Sequence, residues 1–317
     1  MSLQTLPAAG PRSRPFGARL RRDLLKNGGA YAMVGAVLLY YLLFHYKPMF
    51  GAVIAFKQFS PRRGVWGSEW VGLTHFRSFF GSYYFGRVIA NTLTISISGL
   101  LFGFPVPIVF ALLLNEVKKA KFKRAVQTIA YMPHFISLVV VCSMISLFTA
   151  ETGFVTQIMR WLGYDATGNL LNKSGMFVPI YIISGIWQEM GWNCIIYLSA
   201  LASVDQELYE AARIDGAGRF KQTVHVTIPG IIGTIILLLI LRIGSIMSVG
   251  HEKIILLYND VTRERADVIS TYVYRRGLVN GDWSFSTAVG LFNSTINFAL
   301  VMAANWLSNK YTGLGIW

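Results

Sequence analysis

The segment Ser203-Val204-Asp205-Gln206-Glu207-Leu208-Tyr209-Glu210-Ala211-Ala212-Arg213-Ile214-Asp215-Gly216-Ala217-Gly218, continuing Arg219-Phe220-Lys221-Gln222-Thr223-Val224-His225-Val226-Thr227-Ile228-Pro229, is a charged interruption between two long apolar runs. It reads as two short helices with a sharp break. Ser203 with Gln206 fits a capping box, and Asp205 and Glu207 place negative charge at a helix amino end. Glu210, Ala211, Ala212 and Arg213 are good helix formers. Gly216 and Gly218 then allow a turn of positive φ or a close backbone approach. A second amphipathic stretch with Phe220, Val224 and Val226 leads to Pro229, a rigid start for the next apolar run. A small-residue helical knob flanked by charge suits docking into a groove on another protein.

On either side the chain is built for a bilayer. Of its 317 residues 54% are hydrophobic and 14% charged, where a soluble domain carries about a quarter charged. Several apolar runs reach the ~20 residues that a crossing helix needs. The pattern predicts an all-α integral membrane protein with six transmembrane helices, near 30–50, 86–114, 126–149, 176–200, 228–249 and 285–307. Gly103, Pro105 and Pro107 predict a kink or break in the second, and Met132-Pro133-His134 a turn or kink early in the third. Residues 1–29 form a basic tail with Arg12, Arg14, Arg19, Arg21, Arg22 and Lys26; the apolar run after it lacks a small-residue cleavage site and reads as an anchoring helix.

The net charge of +14 does not point to nucleic acid, because the basic residues sit in short blocks beside apolar runs, where anionic lipid accounts for them. Lys118, Lys119, Lys121, Lys123 and Arg124 crowd one short connection, which places both termini and the 203–229 loop in the cytoplasm. Cys142 and Cys194 fall inside apolar runs without CxxC spacing and read as packing residues. The outer segments 51–85 and 250–284 are long enough to meet an extracytoplasmic partner, or to pack over the spans.

Glu210-Ala211-Ala212, Gly216 four residues later, and Ile228-Pro229 together resemble the EAA loop of ABC importer permeases. Members of that family usually have Leu before the proline, so Ile228 is a mild departure. Phe44-His45-Tyr46-Lys47-Pro48-Met49, Gly64-Val65-Trp66-Gly67, Leu112-Leu113-Leu114-Asn115-Glu116-Val117, Tyr131-Met132-Pro133-His134-Phe135, Ile186-Trp187-Gln188-Glu189-Met190-Gly191-Trp192 and Asp267 to Arg275 are similar to its polysaccharide branch. The resemblance implies a type I ABC importer permease in a bacterial inner membrane. It would import oligosaccharides, acidic ones such as alginate or aldouronate oligomers among them, as a first permease beside a second homologous permease. Two ATPase subunits and an extracytoplasmic sugar-binding protein would complete the assembly. Glu210, Ala211, Ala212, Asp215, Gly216 and Ala217 would contact the ATPase. No G-x-x-x-x-G-K-[ST] phosphate loop occurs, so ATP and magnesium belong to that separate subunit and this chain holds no cofactor.

Ionisable residues within apolar runs mark candidate substrate paths. Glu189 and Arg242 are two such residues. Glu189, Trp192 and Asn193 share a helical face, with Gln188 adjoining, and a polar–aromatic face suits a sugar ring. The alternative is that Glu189 and Arg242 simply pair with each other or with a partner subunit. His134 and His225 are isolated in the sequence and read as ordinary polar residues. An ion-coupled secondary transporter would need intramembrane relays or paired broken helices in an internal repeat. A membrane enzyme of polysaccharide assembly would need clustered acidic or His/Asp groups at a span mouth. No clear set for either is visible in the sequence.

Overall fold

The structure, a computed structural model, describes residue 17 and residues 25–164 and 167–317. Most of the basic tail, Arg12, Arg14, Arg19, Arg21 and Arg22 included, lies outside the described residues. The chain divides into two compact units, Met1–Val53 and Ile54–Trp317. The first holds most of the 29-residue helical run Gly28–Phe56. Pro48 has no N–H to give the preceding turn, and a π turn over Leu42–Tyr46 sits just ahead of it.

The second unit is almost wholly helical, with a two-stranded antiparallel ribbon pairing Lys57 with Trp70 and Gln58 with Glu69. Its long elements are Phe85–Asn115, Ala120–Phe135 with Leu138–Phe148, Phe177–Ala202, Arg219–Ile243 and Trp283–Thr312. The chain is a multi-pass membrane protein, but the expected count of six is not met as such. Among the described residues, four helices are long and apolar enough to cross a bilayer, or five if the bent pair counts as one span. The third expected span is that pair, bent by 100° after Pro133. Helix 177–202 has the length, at 26 residues, but Gln188, Glu189 and Asn193 interrupt its apolar run.

Two proline expectations are corrected. Pro105 and Pro107 do not break helix 85–115; a π turn over Gly99–Gly103 absorbs the lost hydrogen bonding. Pro229 does not begin its span either, because the helix starts at Arg219 and passes through another π turn, Thr223–Thr227. That helix ends at Ile243, earlier than expected. A Cβ on Gly244 would come within 2.0 Å of the Val301 side chain, so only glycine permits this crossing with helix 283–312.

Three apolar clusters hold the second unit together. One joins Ile95, Val141, Phe177, Ile254 and Val268; one joins Phe79, Val88, Tyr272 and Phe285; one joins Ala111, Leu114, Tyr197, Leu201 and Ile231 at the end carrying the 203–218 loop. Cys142 and Cys194 are free, buried and in different clusters. Between the loop-end cluster and the first lies a cavity.

Candidate functional site

The loop is a rigid knob. Helix Gln206–Ile214 is capped by Asp205, whose carboxylate accepts the Glu207 N–H at 3.0 Å. The expected Ser203–Gln206 capping box is absent. Ser203 still has helical angles, φ −90 and ψ −6, as the last residue of the preceding helix, and its hydroxyl donates back to the Ala200 carbonyl. Asp205, at ψ 130, has the extended geometry that a cap requires.

The far end of this helix closes as a Schellman motif. The Gly216 N–H reaches the Arg213 carbonyl at 3.0 Å and the Ala217 N–H reaches the Ala212 carbonyl at 2.8 Å. This needs a left-handed residue, and Gly216 has φ +73. Gly218, at φ −68, needs no such freedom. The Tyr209 hydroxyl donates to Thr227 at 3.0 Å, Gln222 donates to the Ala217 carbonyl at 2.7 Å, and Arg219 faces Glu116 at 3.7 Å. These contacts fix the knob to the ends of helices 85–115 and 219–243.

Glu210, Ala211, Asp215 and Gly216 are exposed, and Ala212 and Ala217 are partly so. Sequence reasoning missed three large apolar side chains that share this end: Leu208 (53% exposed), Ile214 (87%) and Phe220 (81%). Isoleucine inside a helix former run gives no hint of exposure.

The cavity has a volume of about 640 Å³ and is walled by helices 85–115, 177–202 and 219–243 together with the bend at Pro133 and the short helix His251–Leu257. Gln188, Glu189, Asn193 and Arg242 all line it, so four of the five expected path residues come together. Trp192 does not line it. One step of three residues rotates it toward the Pro133 bend, where it stacks on His134 with centroids 4.4 Å apart and planes 2° apart. His134 Nδ1 lies 3.0 Å from Glu189 Oε2. The Glu189–Arg242 pairing is therefore not formed, and among the described residues no carboxylate lies within ion-pair distance of Arg242.

Lys253, which the sequence did not single out, adds a second cation to the wall. Its Nζ sits 5.0 Å from the Tyr181 ring centroid and 3.4 Å from the Tyr181 carbonyl oxygen. Burial pushes its ammonium down to about 8, against the pull of Glu189 in the other direction. Neither cation has a carboxylate partner among the described residues, and no cluster of three His, Cys, Asp or Glu there could hold a metal ion.

Residues 103–312 match the family model described as binding-protein-dependent transport system inner membrane component. Protein LplB of Bacillus subtilis (strain 168) is 46% identical over 300 residues, covering 94% of this chain and 93% of that protein. The polygalacturonan/rhamnogalacturonan transport system permease protein YteP of the same organism is 45% identical, again over 94% and 93%. Among solved structures, a bacterial alginate ABC transporter in complex with alginate pentasaccharide-bound periplasmic protein contains a chain 43% identical, with a TM-score of 0.85, over 94% of this chain and 100% of that one.

Proposed function

Because this chain belongs to the family of binding-protein-dependent transport system inner membrane components, we propose that its cavity passes acidic oligosaccharides and that its 203–218 loop receives force from a separate ATPase. The chain is the transmembrane permease subunit of an oligosaccharide ABC importer. Its own part is passage, not bond chemistry.

The observation that carries the acidic reading is the pair of cations on the cavity wall, Arg242 and Lys253, against a single carboxylate there, Glu189, which is taken up by His134. A cation held away from water is costly until an anion reaches it. A uronic-acid residue brings a carboxylate, which an arginine fork and a lysine ammonium both bind well. Similar proteins named for polygalacturonan and for alginate give independent support.

In this reading the bent pair and helix 177–202 each count as one crossing, giving six with both termini and the loop in the cytoplasm. The polar midsection of 177–202 is tolerated because it faces the cavity instead of lipid. A second homologous permease closes the path, two ATPase subunits hold ATP and magnesium, and an extracytoplasmic sugar-binding protein delivers the load. Residues 1–29 are a cytoplasmic tail on anionic lipid. Glu210, Ala211, Ala212, Asp215, Gly216 and Ala217 present the contact to the ATPase, with Leu208, Ile214 and Phe220 as its apolar anchors. ATP binding draws the two loops together and opens the cavity outward; hydrolysis returns it inward.

The test is uptake by the complete complex in liposomes, comparing an alginate pentasaccharide with neutral arabinopentaose. Arg242→Gln with Lys253→Gln should abolish the preference for the acidic sugar while arabinopentaose behaves as before. An unchanged preference would refute the acidic reading. Uptake without the ATPase, driven by an ion gradient, would refute the coupling role of the loop.

A further inference from the structure

The bend at Pro133 and the middle of helix 177–202 meet at an unusually close joint. A Cβ on Gly191 would fall 2.0 Å from the Ala130 carbonyl oxygen, so only glycine lets the two backbones approach this far. One turn away His134 is held from two directions. Glu189 takes its Nδ1 at 3.0 Å, and Trp192 covers one face of its ring in parallel stacking at 4.4 Å. Phe135 stands edge-on to both rings, at 5.4 and 5.6 Å. An imidazole bonded and stacked in this way has one orientation.

The chemistry of its other nitrogen follows. A carboxylate only accepts hydrogen bonds, so in the neutral ring Glu189 keeps the proton on Nδ1 and leaves a lone pair on Nε2. No described residue occupies Nε2, and His134 is part of the cavity wall. We propose that His134 is a substrate contact of the cavity, its Nε2 accepting a hydrogen bond from a sugar hydroxyl in transit. Glu189 and Trp192 are positioning residues that act through the imidazole. This inference rests on oligosaccharide passing through the cavity and adds a hydroxyl-reading element to the carboxylate-reading pair, Arg242 and Lys253.

Two substitutions separate this role from a merely structural tie. Asparagine keeps a donor where Nδ1 stood, and so keeps Glu189, but has nothing at the Nε2 position. Glutamine places an amide oxygen near the Nε2 position and gives up Glu189. Binding of alginate pentasaccharide and of arabinopentaose would be measured by calorimetry on the full complex in nanodiscs. His134→Asn should weaken both sugars about fivefold, the loss of one neutral hydrogen bond. His134→Gln should stay within about twofold of the native protein. Glu189→Ala should weaken both sugars in the native chain and add nothing in the His134→Asn background. Native binding by His134→Asn with impaired binding by His134→Gln would overturn the proposal and leave a structural tie. Because the hydroxyl contact serves both sugars and the cation pair only the acidic one, equal weakening by His134→Asn alongside an unaltered acidic preference in the double variant Arg242→Gln with Lys253→Gln would sink the acidic reading alone.

Discussion

Gly216 shows how one residue can set the shape of a whole loop. Its φ of +73 and the two Schellman hydrogen bonds end the knob helix just after the exposed Ile214. Proline there has φ near −65° and no N–H. Gly216→Pro should therefore abolish transport while circular dichroism and the melting temperature of the spans stay native. Transport at the native rate would show that the knob's shape does not matter. Asp267 is the contrasting case. Its carboxylate is 2% exposed, receives Arg275 Nη1 at 2.8 Å and the Thr271 hydroxyl at 2.6 Å, and holds the Arg275 guanidinium above its ordinary range. Asp267→Asn leaves that arginine half-paired, and a broken buried pair typically costs about 3 kcal/mol. The variant should melt clearly lower with its transport selectivity unchanged; an unchanged melting temperature would contradict this. Gly216 was legible from spacing alone. His134 was not, because Glu189, its hydrogen-bond partner, lies 55 residues away in sequence and hydropathy cannot show the contact.

Helices here are more continuous than their sequences suggest, and proline is the reason the reading failed. Ahead of Pro48, Pro105 and Pro229 the chain makes a π turn, at Leu42–Tyr46, Gly99–Gly103 and Thr223–Thr227. Each time the wider turn accommodates the missing N–H without a break. Run length and periodicity do report the long helices 85–115, 177–202 and 283–312 to within a few residues. They cannot report whether a proline kinks, breaks or bulges, and the bend of 100° after Pro133 is the one real break among these spans. The π turn at 223–227 also has a consequence for coupling. It fits one residue more than an α turn, as the Ile228 N–H bond to the Thr223 carbonyl shows. Pro229→Ala restores the N–H and lets the turn revert to α, which rotates everything before it by about 100° around the helix axis. The knob would then face away from its partner. Sugar-stimulated ATP hydrolysis should be lost with stability equal to or above native; stimulation at the native level would show that the π turn does not set the knob's phase.

At the scale of the molecule, the sequence conveyed a membrane protein with a charged helical loop between two spans, and the cavity is what it could not convey. Gln188, Glu189, Asn193 and Arg242 were recoverable because polar groups inside apolar runs are conspicuous. Lys253 was hidden because it sits in a polar outer segment, where a lysine is unremarkable until the fold brings it against Tyr181. The cavity makes its charge consequential. With its ammonium pushed down to about 8 by burial, Lys253 is charged below that pH and neutral above it. The carboxylates of an oligouronate titrate near 4 and stay ionised throughout. Raising the pH from 7 to 9 therefore removes one cation from the wall and leaves the substrate as it was. Binding of alginate pentasaccharide to the complex should weaken by roughly tenfold over that interval, the usual worth of a charge-assisted contact. Arabinopentaose should show no such fall. Lys253→Arg, which keeps its charge across the range, should flatten the acidic profile. A flat profile in the native protein would mean that Lys253 does not meet the substrate, and that Arg242 alone reads its charge.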